Sequence, residues 1–196
     1  MRISRILQPI KSHSPSILGI DASLTSTGFA YRNSGELFTG LVTSGKLKGA
    51  WRLYYIREQI RLVLARAKPD LIVMEDYAQG RGPKMGVVFH IGELGGVLKT
   101  MFWESGIDVM LVAPTSLKMI ISGKGNAKKP DMRQALLNTF GYDIGQDDEA
   151  DAAGLMLVGE LTKGLPVVSK AVRSTLRLDT LASFPVAKGK MKLIAK

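Results

Sequence analysis

Two short apolar runs in this chain carry an acid at or near their ends. ILGID closes on Asp21, and DLIVMED holds Glu75 just before its last residue. A third acidic group, DDEAD, covers Asp147 to Asp151. Asp148 and Asp151 within it are three positions apart, which puts both on one face of a helix. Carboxylates gathered at one point repel each other, and the repulsion raises their pKa values. A hard divalent cation removes that cost. All-oxygen donors suit Mg²⁺ or Mn²⁺. Pairs of such ions, about 3.5–4 Å apart, activate water against a phosphodiester. The same residues have a plainer reading. An Asp after a strand is a common turn former, and acids in the first turn of a helix complement its dipole. Spacing alone leaves both readings open.

Any site made from these acids depends on strands and helices that end in the same place. Ile17–Asp21 reads as a short buried strand. ASLTSTG breaks it, and Phe29–Arg32 resumes strand character. Asn33, Ser34 and Gly35 are turn residues, so a hairpin with Glu36–Ser44 is expected. From Trp51 to Lys68 the period changes. Leu53, Ile56, Ile60, Leu64 and Ala67 recur every three or four residues, which predicts an amphipathic helix stopped by Pro69. Asp70–Asp76 is the next buried strand, and Ala78–Gly86 is a Gly-rich basic loop. Val87–Glu104 reads as a helix whose Val87, Ile91, Leu94, Leu98 and Met101 follow a 4-3-4-3 spacing. That pattern suits either a core-facing side or a dimer seam. Asp108–Pro114 is a fifth strand and Thr115–Ile121 a helical turn. Another helix starts near Pro130, and Asp148–Leu161 is the last. Strands alternating with helices predict one α/β domain, and open α/β sheets place their sites in the crevice at the strand ends.

Composition narrows the chemistry. The 196 residues include 27 Lys plus Arg against 17 Asp plus Glu, a formal charge of +10. A small domain this basic favours polyanionic partners, nucleic acid first. Part of the charge is terminal: residues 1–16 are basic, and from Lys163 onward there are eight Lys or Arg and one acid, Asp179. There are no cysteines, which rules out disulfide scaffolds, cysteine zinc sites and thiol catalysis. His13 and His90 are the only histidines, too few for a multi-histidine metal site. No apolar run has the length of a membrane span, and MRISRILQPIKSHSPS lacks a secretory apolar segment. The cytoplasm is the expected location.

Four segments, ILGIDASLTSTGFA, LIVMEDYAQG, GKGNAKK and DDEADAAGL, resemble in order and spacing the RuvC-type Holliday junction resolvases, over roughly residues 17–161. The resemblance implies a ribonuclease-H-like α/β fold: a mixed five-stranded sheet flanked by helices over 17–162, with a basic arm at 1–16 and a basic tail at 163–196. The extensions fit a phage-borne or divergent branch. It implies a homodimeric, metal-dependent endonuclease of recombination and repair that resolves four-way DNA by paired symmetric nicks and leaves 5′-phosphates. Two Mg²⁺ per active site are implied, with Mn²⁺ able to substitute. Matched to the family's motifs, the metal-binding and catalytic acids are Asp21, Glu75, Asp148 and Asp151, with Asp147 the alternative to Asp148 if the helix start shifts. Lys118 and Lys129 match two lysines that contact the scissile phosphate region, Lys128 being the alternative to Lys129. Read as plain loop charges, the two lysines have no such role. The family often has a Phe after its Glu. Here Tyr77 stands nearest, as a stacking group or a core tyrosine. Arg81 and Lys84 in the Gly-rich loop, and Lys124, Lys128 and Lys129, are expected DNA contacts. Two other readings stay open: a related nuclease of flaps, forks or other branched DNA, and a non-catalytic DNA-binding module. Contact with a branch-migration motor is unspecified.

Overall fold

Strand β1, Ile17–Asp21, lies inside the sheet and divides its side chains between two layers. A computed structural model describes residues 15–76, 85–164 and 186–187. β2 (Ser26–Asn33) returns antiparallel to β1, and β3 (Glu36–Thr43) antiparallel to β2. Asn33 pairs with Glu36, so the hairpin loop has two residues, Ser34 and Gly35. Both have positive φ, 50° and 86°, as a primed turn that follows the strand twist requires. Helix α1 (Gly49–Ala67) leads to β4 (Leu71–Glu75), parallel to β1. Helix α2 (Met85–Glu104) leads to β5 (Asp108–Val112), parallel to β4. Helices α3 (Pro114–Ser122), α4 (Lys129–Phe140) and α5 (Asp147–Thr162) follow.

The sheet order is β3-β2-β1-β4-β5-β6. The mixed five-stranded sheet is therefore present. A two-residue strand, β6 (Val186–Ala187), adds to the edge by pairing antiparallel with β5. It comes from the segment expected to be only a tail. The expected turn at Thr115–Ile121 is a nine-residue helix, with Pro114 in its first turn, where a missing N–H costs nothing.

Alternation along β1 and β4 sorts the core into two layers. Leu18, Ile20, Ile72 and Met74 pack with Ile56 and Ile60 of α1 and with Leu94, Leu98, Met101 and Phe102 of α2. Ile17, Leu71 and Val73 face the other way, into α3, α4 and α5. Of the spaced residues of α2, Leu94, Leu98 and Met101 are thus core-facing. Leu94 and Leu98 are fully buried within the fold, which excludes them from a dimer seam.

Helix α5 is buried on every side from Ala152 to Leu161, as expected for a helix apolar all round its circumference. The polar exception is Glu160, which is buried and paired with Arg32 of β2 at 2.9 Å. Arg32 also donates to the Tyr142 hydroxyl. This network holds the C-terminal end of α5 against the sheet. Among the described residues no helix is long and apolar enough to cross a membrane.

Candidate active site

Asp21 and Glu75 end neighbouring parallel strands one step beyond the Ile20–Met74 pair, so both lie at the same end of the sheet. By alternation, Asp21 shares its face with Ile17 and Gly19, and Glu75 shares its face with Leu71 and Val73. That is the face covered by α5.

How α5 reaches this face depends on two glycines. Asp21 pairs with Gly28 of β2, and a Cβ on Gly28 would stand 2.0 Å from the backbone oxygen of Asp148. A Cβ on Gly19 would stand 2.1 Å from the backbone oxygen of Ala152 and 2.5 Å from the Met156 nitrogen. Asp148, Ala152 and Met156 follow one another at successive turns of one helix face. The helix therefore lies flush on the strand backbones and runs antiparallel to β1, with its acidic first turn beside Asp21. Any side chain at either glycine would hold it away.

Once there, the acids are sorted by their neighbours. Arg133 of α4 brings its Nε to 3.2 Å from Asp147, and Thr39 of β3 donates to Glu149 at 2.6 Å. Asp148 accepts from the Lys129 ammonium at 3.2 Å. Asp151 is coupled to Glu75 and Asp21.

The electrostatics record the crowding. The Asp21 carboxyl is held well above the ordinary range, first by burial and then by the charges of Glu75, Asp151 and Asp148, with Lys129 pulling the other way. Glu75 is pushed up to about 7 by burial and by Asp151, against Lys118 and Lys129. Asp151 is raised by burial, which Lys129 and Lys118 oppose and Asp148 and Asp147 reinforce. Burial disfavours the Lys129 charge, but its bond to Asp148 and the charges of Asp148, Asp151 and Asp147 outweigh that and raise its pKa.

Two lysines thus partly balance four carboxylates. The donors are all hard oxygens and their mutual repulsion is only partly relieved, which fits a divalent cation such as Mg²⁺. Among the described residues no three acidic side chains already enclose one metal position; Lys129 supplies the local positive charge.

One consequence is measurable without metal. Glu75 holds a proton in the fold at pH values where the unfolded chain has lost it. Stability therefore falls as pH rises from the ordinary Glu range to about 7. Compared with Glu75→Gln in EDTA, the wild type loses on the order of 2 kcal/mol between about pH 5 and about pH 8. Urea denaturation at both pH values checks this, and a pH-independent difference would mean that Glu75 titrates normally.

The other expected site residues divide clearly. Lys129, rather than Lys128, brings its ammonium to the carboxylates; Lys128 caps α4, its backbone N–H donating to Asp131 at 3.0 Å. Lys118, on α3, is close enough to act on Glu75 and Asp151. Lys124 is exposed in the loop between α3 and α4. Tyr77, Arg81 and Lys84 lie outside the described residues. Sequence reading passed over Gly19, Gly28, Thr39 and Arg133. A glycine inside a strand pattern, as in ILGID, signals close backbone approach, and Arg133 stands one helical turn after Lys129.

Comparison with known proteins agrees with this architecture. The family model described as crossover junction endodeoxyribonuclease RuvC matches residues 17–159. The protein of that name from Hydrogenovibrio crunogenus is 30% identical over 142 residues, 69% of this chain and 81% of the relative. Its namesake from Prochlorococcus marinus is 28% identical over 149 residues, 72% of this chain and 93% of the relative. Among solved structures, T. thermophilus RuvC in complex with Holliday junction substrate superposes with a TM-score of 0.62 at 20% identity, over 73% of this chain and 91% of that one. A second Thermus thermophilus RuvC structure gives 0.62 at 18% identity, over 88% and 99%. Both share the fold described above.

Proposed function

Given that the chain belongs to the crossover junction endodeoxyribonuclease RuvC family, we propose that it resolves four-way DNA junctions by paired, symmetric, metal-dependent nicks, in recombination and repair. The observation that carries this reading is the group of four carboxylates brought to one end of the sheet, with Asp21 feeling the charge of the other three, in a chain of charge +10. A basic protein has no electrostatic reason to bring bare acids beside phosphate unless a cation joins them.

Asp21 and Glu75 from the strands, with Asp148 and Asp151 from α5, would hold Mg²⁺, two per site and replaceable by Mn²⁺. When bound, the cations supply Lewis acidity and neutralise charge at the phosphodiester. The protein's own part is positional. The strands and α5 hold the acids in place before substrate arrives, so little reorganisation is left for the reaction. Lys118 and Lys129 present ammonium groups where negative charge grows on the phosphate, and the products carry 5′-phosphates. Lys124, Lys128 and the residues Tyr77, Arg81 and Lys84 hold the junction arms. Binding through phosphates releases counterions, so affinity falls steeply with salt.

Two symmetric cuts suit a two-fold dimer. With Leu94 and Leu98 buried, the outer side of α2 is the face available for it. Val88 and Phe89 are exposed there, Phe89 by 67%, and a Cβ on Gly96 would meet open space. Sedimentation of the wild type is expected to give twice 21.3 kDa. Phe89→Asp, which leaves the core untouched, is expected to give a folded monomer. A dimer that survives this change would move the interface elsewhere.

The function itself is tested with a labelled four-way junction, a fork, a flap and a linear duplex of the same arm sequence, each with Mg²⁺ and with EDTA. Metal-dependent paired nicks on the junction alone support resolution. Equal cutting of forks and flaps identifies a broader branched-DNA nuclease, and binding without cutting identifies a DNA-binding module.

A further inference from the structure

We propose that Trp51 and Tyr54, on the first turns of α1, form a stacking site for an unpaired base of the DNA substrate. The proposal rests on the reading of that substrate as branched DNA and adds a contact to it.

The topology puts α1's start at the end of the sheet that carries the carboxylates, on the opposite face. β3 ends at Thr43, which pairs with Ser26, while Asp21 pairs with Gly28 two residues along the same strand. Ser44 is tied to the β1–β2 loop by bonds to the backbone oxygens of Thr25 and Leu24. Helix α1 opens at Gly49, a few residues later, so its first turn lies at the same end of the sheet as Asp21 and Glu75.

Trp51 and Tyr54 contribute little to the core. They are 71% and 54% exposed, while the buried side of α1 is made by Ile56, Ile60, Val63 and Leu64. Three residues apart, they fall on one side of the helix. Their rings meet edge to face, with centroids 5.9 Å apart, and with Ala50 they line an open hollow of about 330 Å³. Two exposed rings beside an open hollow offer a flat heterocycle a surface to stack on.

The surrounding charge selects the occupant. From Thr43 to Ile56 the chain has Lys46, Lys48 and Arg52 and no Asp or Glu, while Arg57 beyond them is paired with Glu58 and Glu104. Lys46 and Lys48 are exposed. Aromatic rings interleaved with cations match a single strand, whose bases stack while its phosphates pair with the cations. Intact duplex offers no free base face. An apolar protein partner would gain nothing from the cations.

The test uses the full-length protein in EDTA, so that no strand is cut. Anisotropy gives the affinity of wild type, Trp51→Ala, Tyr54→Ala and Trp51→Phe for a four-way junction, a linear duplex and an oligothymidine. Trp51→Ala is expected to weaken binding of junction and oligothymidine roughly tenfold, at the lower end of what a base–aromatic stack contributes. Duplex affinity and the salt slope should stay as in wild type, because stacking releases no counterions. Trp51→Phe should retain most of the affinity. Oligothymidine should quench the wild-type tryptophan emission, and most of the quenching should be lost in Trp51→Ala, which keeps Trp103.

Unchanged affinity for all three DNAs, or an equal loss on all three, would overturn the proposal. If Trp51→Ala fails to fold, Tyr54→Ala and the quenching of wild type and Trp51→Phe decide the matter. A wild type with no preference for the junction over duplex would sink the junction reading instead, whereas a preference that survives Trp51→Ala would sink only the stacking site.

Discussion

Asp21→Asn is expected to bind a four-way junction with wild-type affinity and to cut it at least roughly 10³-fold more slowly, about 4 kcal/mol of lost transition-state stabilisation. The substitution keeps the shape of the side chain and removes one charge. Asp21 is the acid coupled to all three others, Glu75, Asp151 and Asp148. Its loss therefore removes a shared donor from any cation held between strand and helix. The fold should not suffer. A buried carboxylate among like charges is a cost to the metal-free protein, so Asp21→Asn in EDTA should melt at the wild-type temperature or above. Single-turnover cleavage in Mg²⁺, anisotropy in EDTA and a melting curve give the three readings. An active variant would remove Asp21 from the site. An inactive variant that also melts early would show that the loss came from the fold.

Gly28→Ala should damage both fold and cleavage. The new methyl would stand 2.0 Å from the Asp148 backbone oxygen, and no rotamer relieves a clash between a Cβ and a backbone atom. Either β2 bends or the first turn of α5 lifts. Overpacking of this kind costs about 3 kcal/mol, which for a chain of this size lowers Tm by roughly 6–12 °C. The turn that moves carries Asp148, and Asp148 holds Lys129 at 3.2 Å. A displacement near 1 Å at a reacting centre costs on the order of 10²-fold in rate. Cleavage should therefore fall about a hundredfold at a temperature where the variant is still folded, with junction binding retained. Wild-type cleavage in a folded Gly28→Ala protein would show that α5 tolerates the shift.

The glycine contact also explains where reading the sequence stops. Local periods identify the elements. Short apolar runs mark Ile17–Asp21 and Asp70–Asp76 as strands, the three-to-four spacing marks α1, and the acids at the start of DDEADAAGL mark a helix N-terminus. Each of these signals arises from residues a few positions apart, and each element is found where its signal lies. That two strands end in acids, and that Asp148 and Asp151 share a helix face, is likewise local and was legible.

The partners of those acids were not legible. Asp147, Asp148 and Glu149 are consecutive and chemically alike, yet they meet Arg133, Lys129 and Thr39. The choice is made by where α5 sits, and that is set by its backbone meeting Gly19 and Gly28 more than a hundred positions earlier in the chain. The side of α2 that faces inward was equally undecided. A 4-3-4-3 spacing records an apolar stripe and says nothing of what covers it; the sheet does, through Leu18, Ile20, Ile72 and Met74. Strand β6 had no signal at all, since two residues have no period and it exists only because the edge of β5 offers hydrogen bonds to pair with. Local patterning settled the main strands and helices, though not β6, and which side chains could do chemistry. Close packing and strand register, which act between distant segments, decided which of those side chains meet.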